Sequence, residues 1–111
     1  MTTVTLTIVF ADMVGSSRRI AELGDDRGDA FMAEFVRTLD GVVVHSGGRT
    51  IEQLGDGVMA VFDRSSLDAV RASRALHAAA RAMDPDHPPP VRVGISLGEV
   101  TEAAGDYYGE P

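Results

Sequence analysis

Two aspartates stand where chemistry is easiest to build. Asp12 closes an apolar β-branched run, Val4 to Ala11, just before the turn-forming Met13-Val14-Gly15-Ser16-Ser17. Asp56 sits in Gly55-Asp56-Gly57, between two short apolar runs that read as a hairpin. If the first strand lies beside that hairpin, the two carboxylates converge at one sheet edge. Clustered carboxylates next to backbone N–H groups make a hard-oxygen site suited to magnesium or manganese. Each aspartate also has an ordinary local use, Asp12 capping a helix and Asp56 serving a type I′ turn, and spacing by itself leaves both readings open.

The elements that would position these residues follow from periodicity. Val4, Leu6, Ile8 and Phe10 alternate, with Val9 making the second face apolar, as in a central strand. Ser16 or Ser17 is the expected N-cap of a short helix ending at Gly24. From about Asp26 to Ser46, Phe31, Phe35, Leu39 and Val42 recur at helical spacing, with Met32, Val36 and Val43 widening the stripe and Gly47-Gly48 ending it. Arg49–Leu54 and Val58–Phe62 are the hairpin strands. Ser65 to Met83 carries Ala69, Ala72, Leu76, Ala79 and Met83 on one face and stops before Pro85. The segment DPDHPPP is a stiff connector into Val91–Leu97, a half-buried strand in which Val91, Val93, Ile95 and Leu97 point one way and Arg92, Gly94 and Ser96 the other. The order predicts an α/β (α+β) chain, a ferredoxin-like βαββαβ sandwich with its helices on one face and right-handed crossovers. Residues 1–111 read as one domain, with no repeat or low-complexity tract.

Composition narrows the function. Seventeen acidic against ten basic residues give a net charge of −7, which argues against nucleic-acid binding and means that a nucleotide needs a metal. The absence of cysteine excludes disulfides and thiolate zinc sites. The N-terminus lacks a basic n-region, and Val4–Ala11 is too short for a signal core or a span, so a cytoplasmic location without membrane contact is expected. His45, His77 and His87 show no metal spacing. Arg71, Arg74 and Arg81 lie off the apolar stripe, the methionines read as packing, and Tyr107 and Tyr108 as packing of the chain end.

Taken in order, FADMVGSS (Phe10–Ser17), Gly47-Gly48-Arg49, LGDGVMAVF (Leu54–Phe62), RVGISLGEV (Arg92–Val100) and GDYYG (Gly105–Gly109) resemble the class III adenylate/guanylate cyclase catalytic domain over nearly the whole chain. The resemblance implies that Asp12, Asp56 and the backbone carbonyl of Met13 bind two Mg2+ or Mn2+ ions. These would activate a ribose 3′-hydroxyl and clamp the triphosphate of ATP or GTP, giving a 3′,5′-cyclic nucleotide and pyrophosphate. Backbone N–H groups of Val14, Gly15, Ser16 and Ser17 would cradle the phosphates at a positive helix end. Base selection would fall to Glu52, four residues before Asp56, and to Asp106. Family adenylyl cyclases carry Lys then Asp or Thr at these positions, and guanylyl cyclases Glu then Cys or similar, so this chain mixes the codes and relaxed base selectivity is expected. Glu52 also reads as a solvated strand residue.

The family domain extends past Pro111 into a motif with an Asn and a transition-state Arg and into further sheet strands, so the chain is expected to lack the domain's C-terminal portion and to turn over poorly alone. Family sites lie between two subunits, implying a homodimer or a heterodimer with another cyclase domain. A non-catalytic, cyclase-like dimerisation or regulatory module is the alternative. The related diguanylate cyclase fold ranks last, because its GGDEF signature is replaced here by LGDGVM.

Overall fold

The structure, a computed structural model, describes residues 2–103 and 106–108; for 102, 103 and 106–108 only the backbone is considered. Its elements run β1 (Thr2–Met13), α1 (Ser16–Leu23), α2 (Asp25–His45), β2 (Arg49–Leu54), β3 (Gly57–Phe62), α3 (Ser66–Met83), β4 (Val91–Ala103) and β5 (Asp106–Tyr108). The strands form one antiparallel sheet in the order β2-β3-β1-β4-β5. The first four strands have the predicted βαββαβ order, with β1 and β3 central. β5 is an addition to the four expected strands, pairing Tyr108 with Thr101; its aromatic pair suits a strand.

Alternation along β1 sorts the core onto two faces. Val9, Ala11 and Met13 join Val58, Ala60 and Phe62 beneath α2 and α3, which contribute Phe35, Leu39, Val43, Ala72 and Leu76. Leu6 and Ile8 point the other way and form a smaller cluster with Val61 and Val100, made of strand residues alone. All the core helix contacts are therefore on one face, as the sandwich requires.

Of the α2 stripe, Met32, Phe35, Val36, Leu39 and Val43 are buried, Phe31 and Val42 are half-buried against them, and Gly28 is added. A Cβ there would stand 2.8 Å from Ile20 Cγ2, so glycine lets α1 and α2 approach closely. Past His45, Gly47 at φ 90° allows the N–H of Gly48 to reach Val43 O and that of Gly47 to reach Val44 O, a Schellman closure. On α3 the buried positions are Ala69, Ala72, Leu76 and Ala80, the stripe passing from the expected Ala79 to its neighbour, and Ser65 caps the helix by accepting from Leu67 N–H at 3.1 Å.

Three expectations are corrected. Gly15, in the left-handed conformation at φ 71°, is the N-cap of α1 in place of Ser16 or Ser17, and no side chain caps that end. Gly55 has no positive φ, so the hairpin turn is not the primed type. β4 runs six residues beyond Leu97, and Ile95 and Leu97 are exposed, because strands β1 and β4 continue past the helices that cover Val91 and Val93. The molecule is correspondingly long, 46 × 24 × 18 Å.

Candidate active site

Register brings the two aspartates together. Asp12 pairs with Gly57 of β3 on one side and with Arg92 of β4 on the other. Asp56 immediately precedes Gly57, and its carbonyl accepts from Met13 N–H at 2.9 Å. Gly57 permits this closeness, since a Cβ there would collide with the Ala11 carbonyl and stand 2.8 Å from Asp12 Cα.

The side chains are arranged around the carboxylates. Arg92 Nη2 donates to Asp12 Oδ2 at 3.0 Å, a cross-strand pair on the face away from the helices. The Ser16 hydroxyl donates to Asp56 Oδ2 at 3.3 Å. The Arg92 guanidinium has its pKa raised, first by the hydrogen bond it donates to Asp12, then by the charge of Asp12 and finally by that of Asp56; desolvation opposes these effects. One cation therefore feels both carboxylates. Asp12 Oδ1 is shut off from solvent with no hydrogen-bond donor.

An orphaned carboxylate oxygen beside a second carboxylate is what a hard cation satisfies. Among the described residues no three His, Cys, Asp or Glu side chains converge, so the donor set is two carboxylates plus backbone oxygen. That fits magnesium, which is commonly held by one or two carboxylates with substrate phosphates completing its shell. The donors fit the ion.

The remaining candidates divide. Met13 buries its side chain in the core. The N–H of Val14 is committed to the Pro90 carbonyl at 2.9 Å, so it is not free for a phosphate. Gly15, Ser16 and Ser17 stay at the uncapped start of α1, whose first N–H groups have no helical partners. Glu52 lies in the row Glu52, Met59, Phe10, Gly94, on the same sheet face as Asp12 and two strands away; a bulge between Thr50 and Glu52 sets that register, and the side chain is exposed. Asp106 is on β5, at the opposite sheet edge from Glu52, paired with Ala103 at the far end of β4 from Arg92. At about 3.3 Å per residue that is on the order of 35 Å along the strand. One chain therefore does not bring Glu52 and Asp106 together. Gly105 and Gly109 lie outside the described residues.

Arg92 is the residue at the carboxylates that periodicity missed. It read as the polar side of an alternating strand, and its signal was its place opening the RVGISLGEV motif, whose register with Asp12 only the fold reveals. A groove of about 570 Å³ adjoins the site rather than covering the carboxylates, running along the β1–α1 turn beside Arg18, Arg19, Asp84 and His87. Among the described residues no helix is long and apolar enough to cross a membrane.

No family model matches the sequence. An adenylate cyclase of Streptomyces coelicolor is 32% identical over 105 residues, spanning 94% of this chain and 26% of the relative. The chain thus covers about a quarter of that protein's length. A bacterial light-regulated adenylyl cyclase shares the fold at a TM-score of 0.80 with 20% identity, over 99% of this chain and 66% of the other. The guanylate cyclase domain of a Catenaria anguillulae protein, solved in complex with GTP, aligns at a TM-score of 0.78 with 14% identity, over 97% of this chain and 66% of the other. The ordered motifs, the curated relatives and the solved folds agree, and the chain belongs to the class III adenylate/guanylate cyclase catalytic domain family.

Proposed function

We propose that this domain is a metal-dependent nucleotidyl cyclase, converting ATP or GTP to a 3′,5′-cyclic nucleotide and pyrophosphate, with Asp12, Asp56 and the Met13 carbonyl holding two Mg2+ or Mn2+ ions. The observation that carries this reading is the solvent-excluded Asp12 Oδ1, left without a donor next to Asp56. When bound, the ions supply acidification of the 3′-hydroxyl and charge neutralisation on the triphosphate.

The chain's own residues do the rest. Ser16 holds one oxygen of Asp56 and so orients the carboxylate. The N–H groups of Gly15, Ser16 and Ser17, at the positive end of α1, bind phosphate oxygens. Arg92 offsets the paired negative charge of the nucleotide-free site and stands ready to meet the arriving triphosphate. Glu52 faces the base in the site it shares with a second cyclase domain, so the working unit is a homodimer or heterodimer.

The intact protein is expected to make cyclic nucleotide in Mn2+ and to bind Mn2+ in calorimetry. Asp12→Asn or Asp56→Asn should remove both. Lewis-acid stabilisation is worth several kcal/mol, so the rate should fall on the order of 10³-fold. Intact wild-type protein that yields no cyclic product from either ATP or GTP would overturn the enzymatic reading in favour of a regulatory module.

A further inference from the structure

Arg19 lies one turn into α1 and is largely enclosed, its side chain 15% exposed. Its guanidinium is held on three sides. Nη1 meets Asp84 Oδ2 at 3.4 Å, Nη2 donates to the His87 carbonyl at 2.7 Å, and the planar group stands 5.2 Å from the centre of the Phe31 ring. These partners come from α2 and from the connector between α3 and β4, both remote from Arg19 in sequence. The connector bends around the guanidinium, because His87 N–H donates back to both the carbonyl and the Oδ1 of Asp84 at 3.2 Å. Farther along, Pro90 accepts from Val14 N–H at 2.9 Å. The connector is thus tied twice, to α1 through Arg19 and to the β1–α1 turn through Val14, and prolines 88–90, whose fixed φ transmits displacement rather than absorbing it, lead from the first tie to the second. That turn carries the two contacts made to Asp56, Met13 N–H on its carbonyl and Ser16 Oγ on its carboxylate.

We propose that Arg19 is a positioning residue for the Asp12–Asp56 site: by pinning the 84–90 connector to α1 it holds the turn that aims Asp56 and the phosphate-facing N–H groups. This rests on the reading that the two carboxylates bind a divalent cation. Arginine fits the place and lysine only partly, since the planar fork serves Asp84 and His87 together while lying over a ring.

The test titrates Mn2+ by calorimetry and follows hydrogen–deuterium exchange at Val14 in the intact protein, for wild type, Arg19→Met, Arg19→Lys and Asp84→Asn, with the exposed Arg74→Met as a control expected to match wild type. Arg19→Met should weaken Mn2+ binding roughly 10–100-fold, as loss of groups behind metal ligands does. It should also speed exchange at Val14 while leaving the core strands protected, and Arg19→Lys should recover part of both. Should Arg19→Met fail to fold, Asp84→Asn and Arg19→Lys decide the matter by the same two readouts. Mn2+ affinity within about twofold of wild type in the folded variants, or unchanged exchange at Val14, overturns the inference alone. Wild-type protein that takes up no Mn2+ overturns the metal reading and this inference with it.

Discussion

At the scale of single residues, the site depends on a missing atom as much as on the charged ones. Any side chain at Gly57 would meet the Ala11 carbonyl and the Asp12 backbone, so Gly57→Ala must push β3 off β1 at the point where the aspartates meet. Overpacking of this kind costs about 1–3 kcal/mol or more. Gly57→Ala is therefore expected to lower the unfolding midpoint and weaken Mn2+ binding together, which thermal melts and calorimetry on the same sample would check. Arg92 makes the opposite prediction. On the metal reading proposed above, its guanidinium would compete with an incoming ion for Asp12 Oδ2, so Arg92→Gln should tighten Mn2+ binding to the nucleotide-free protein while weakening nucleotide binding. The gain should stay within about fivefold, because exposed ion pairs are weak; unchanged Mn2+ affinity would mean that Arg92 does not compete. The aspartates were legible in the sequence because each sits in a motif whose neighbours explain it. Arg92 was not, because the meaning of an alternating strand residue lies in what stands opposite it.

At the scale of elements, periodicity located the two long helices and strands β1 and β4, since burial on one face leaves a mark along the chain that local propensity does not, while cap and turn signals located α1 and the two hairpin strands. What it misjudged were ends. Two serines beside Gly15 looked like an N-cap, but a left-handed glycine closes that end and frees Ser16 to reach Asp56. Alternation in β4 was read as burial, yet Ile95 and Leu97 lie past the helix layer, and coverage by another element is invisible to a pattern within one strand. The small α3 residues do mark a close approach, Ala69, Ala72 and Leu76 each being fully buried. Leu76→Ala should accordingly cost about 2–5 kcal/mol, since helix and sheet cannot both collapse onto the void. Urea denaturation would check this, and a loss under 1 kcal/mol would show that the layer tolerates repacking.

At the scale of the whole molecule, the fold was legible from element order alone, because short antiparallel hairpins and right-handed crossovers leave few alternatives. The placement of the two residues expected to read the base was not, since no sequence pattern reports that Glu52 and Asp106 end on opposite edges of a five-stranded sheet. Glu52 stands on the face of the carboxylates, so Glu52→Lys in the intact protein is expected to move the ATP-to-GTP ratio of turnover toward ATP. A ratio that does not move would remove Glu52 from the base site.

The irregularity between Thr50 and Glu52 gives that residue its orientation. Ile51 is the extra residue in β2, and beyond it Glu52 regains a partner in Met59, on the carboxylate side of the sheet. Pairing the same residues with no bulge would swing the earlier half of the strand through a half-turn relative to Glu52, sending Thr50 outward and Arg49 toward the helices. The bulge thus decides which side chains of β2 stand on the face of Asp12, while the register of Asp12 with its own neighbours is left untouched.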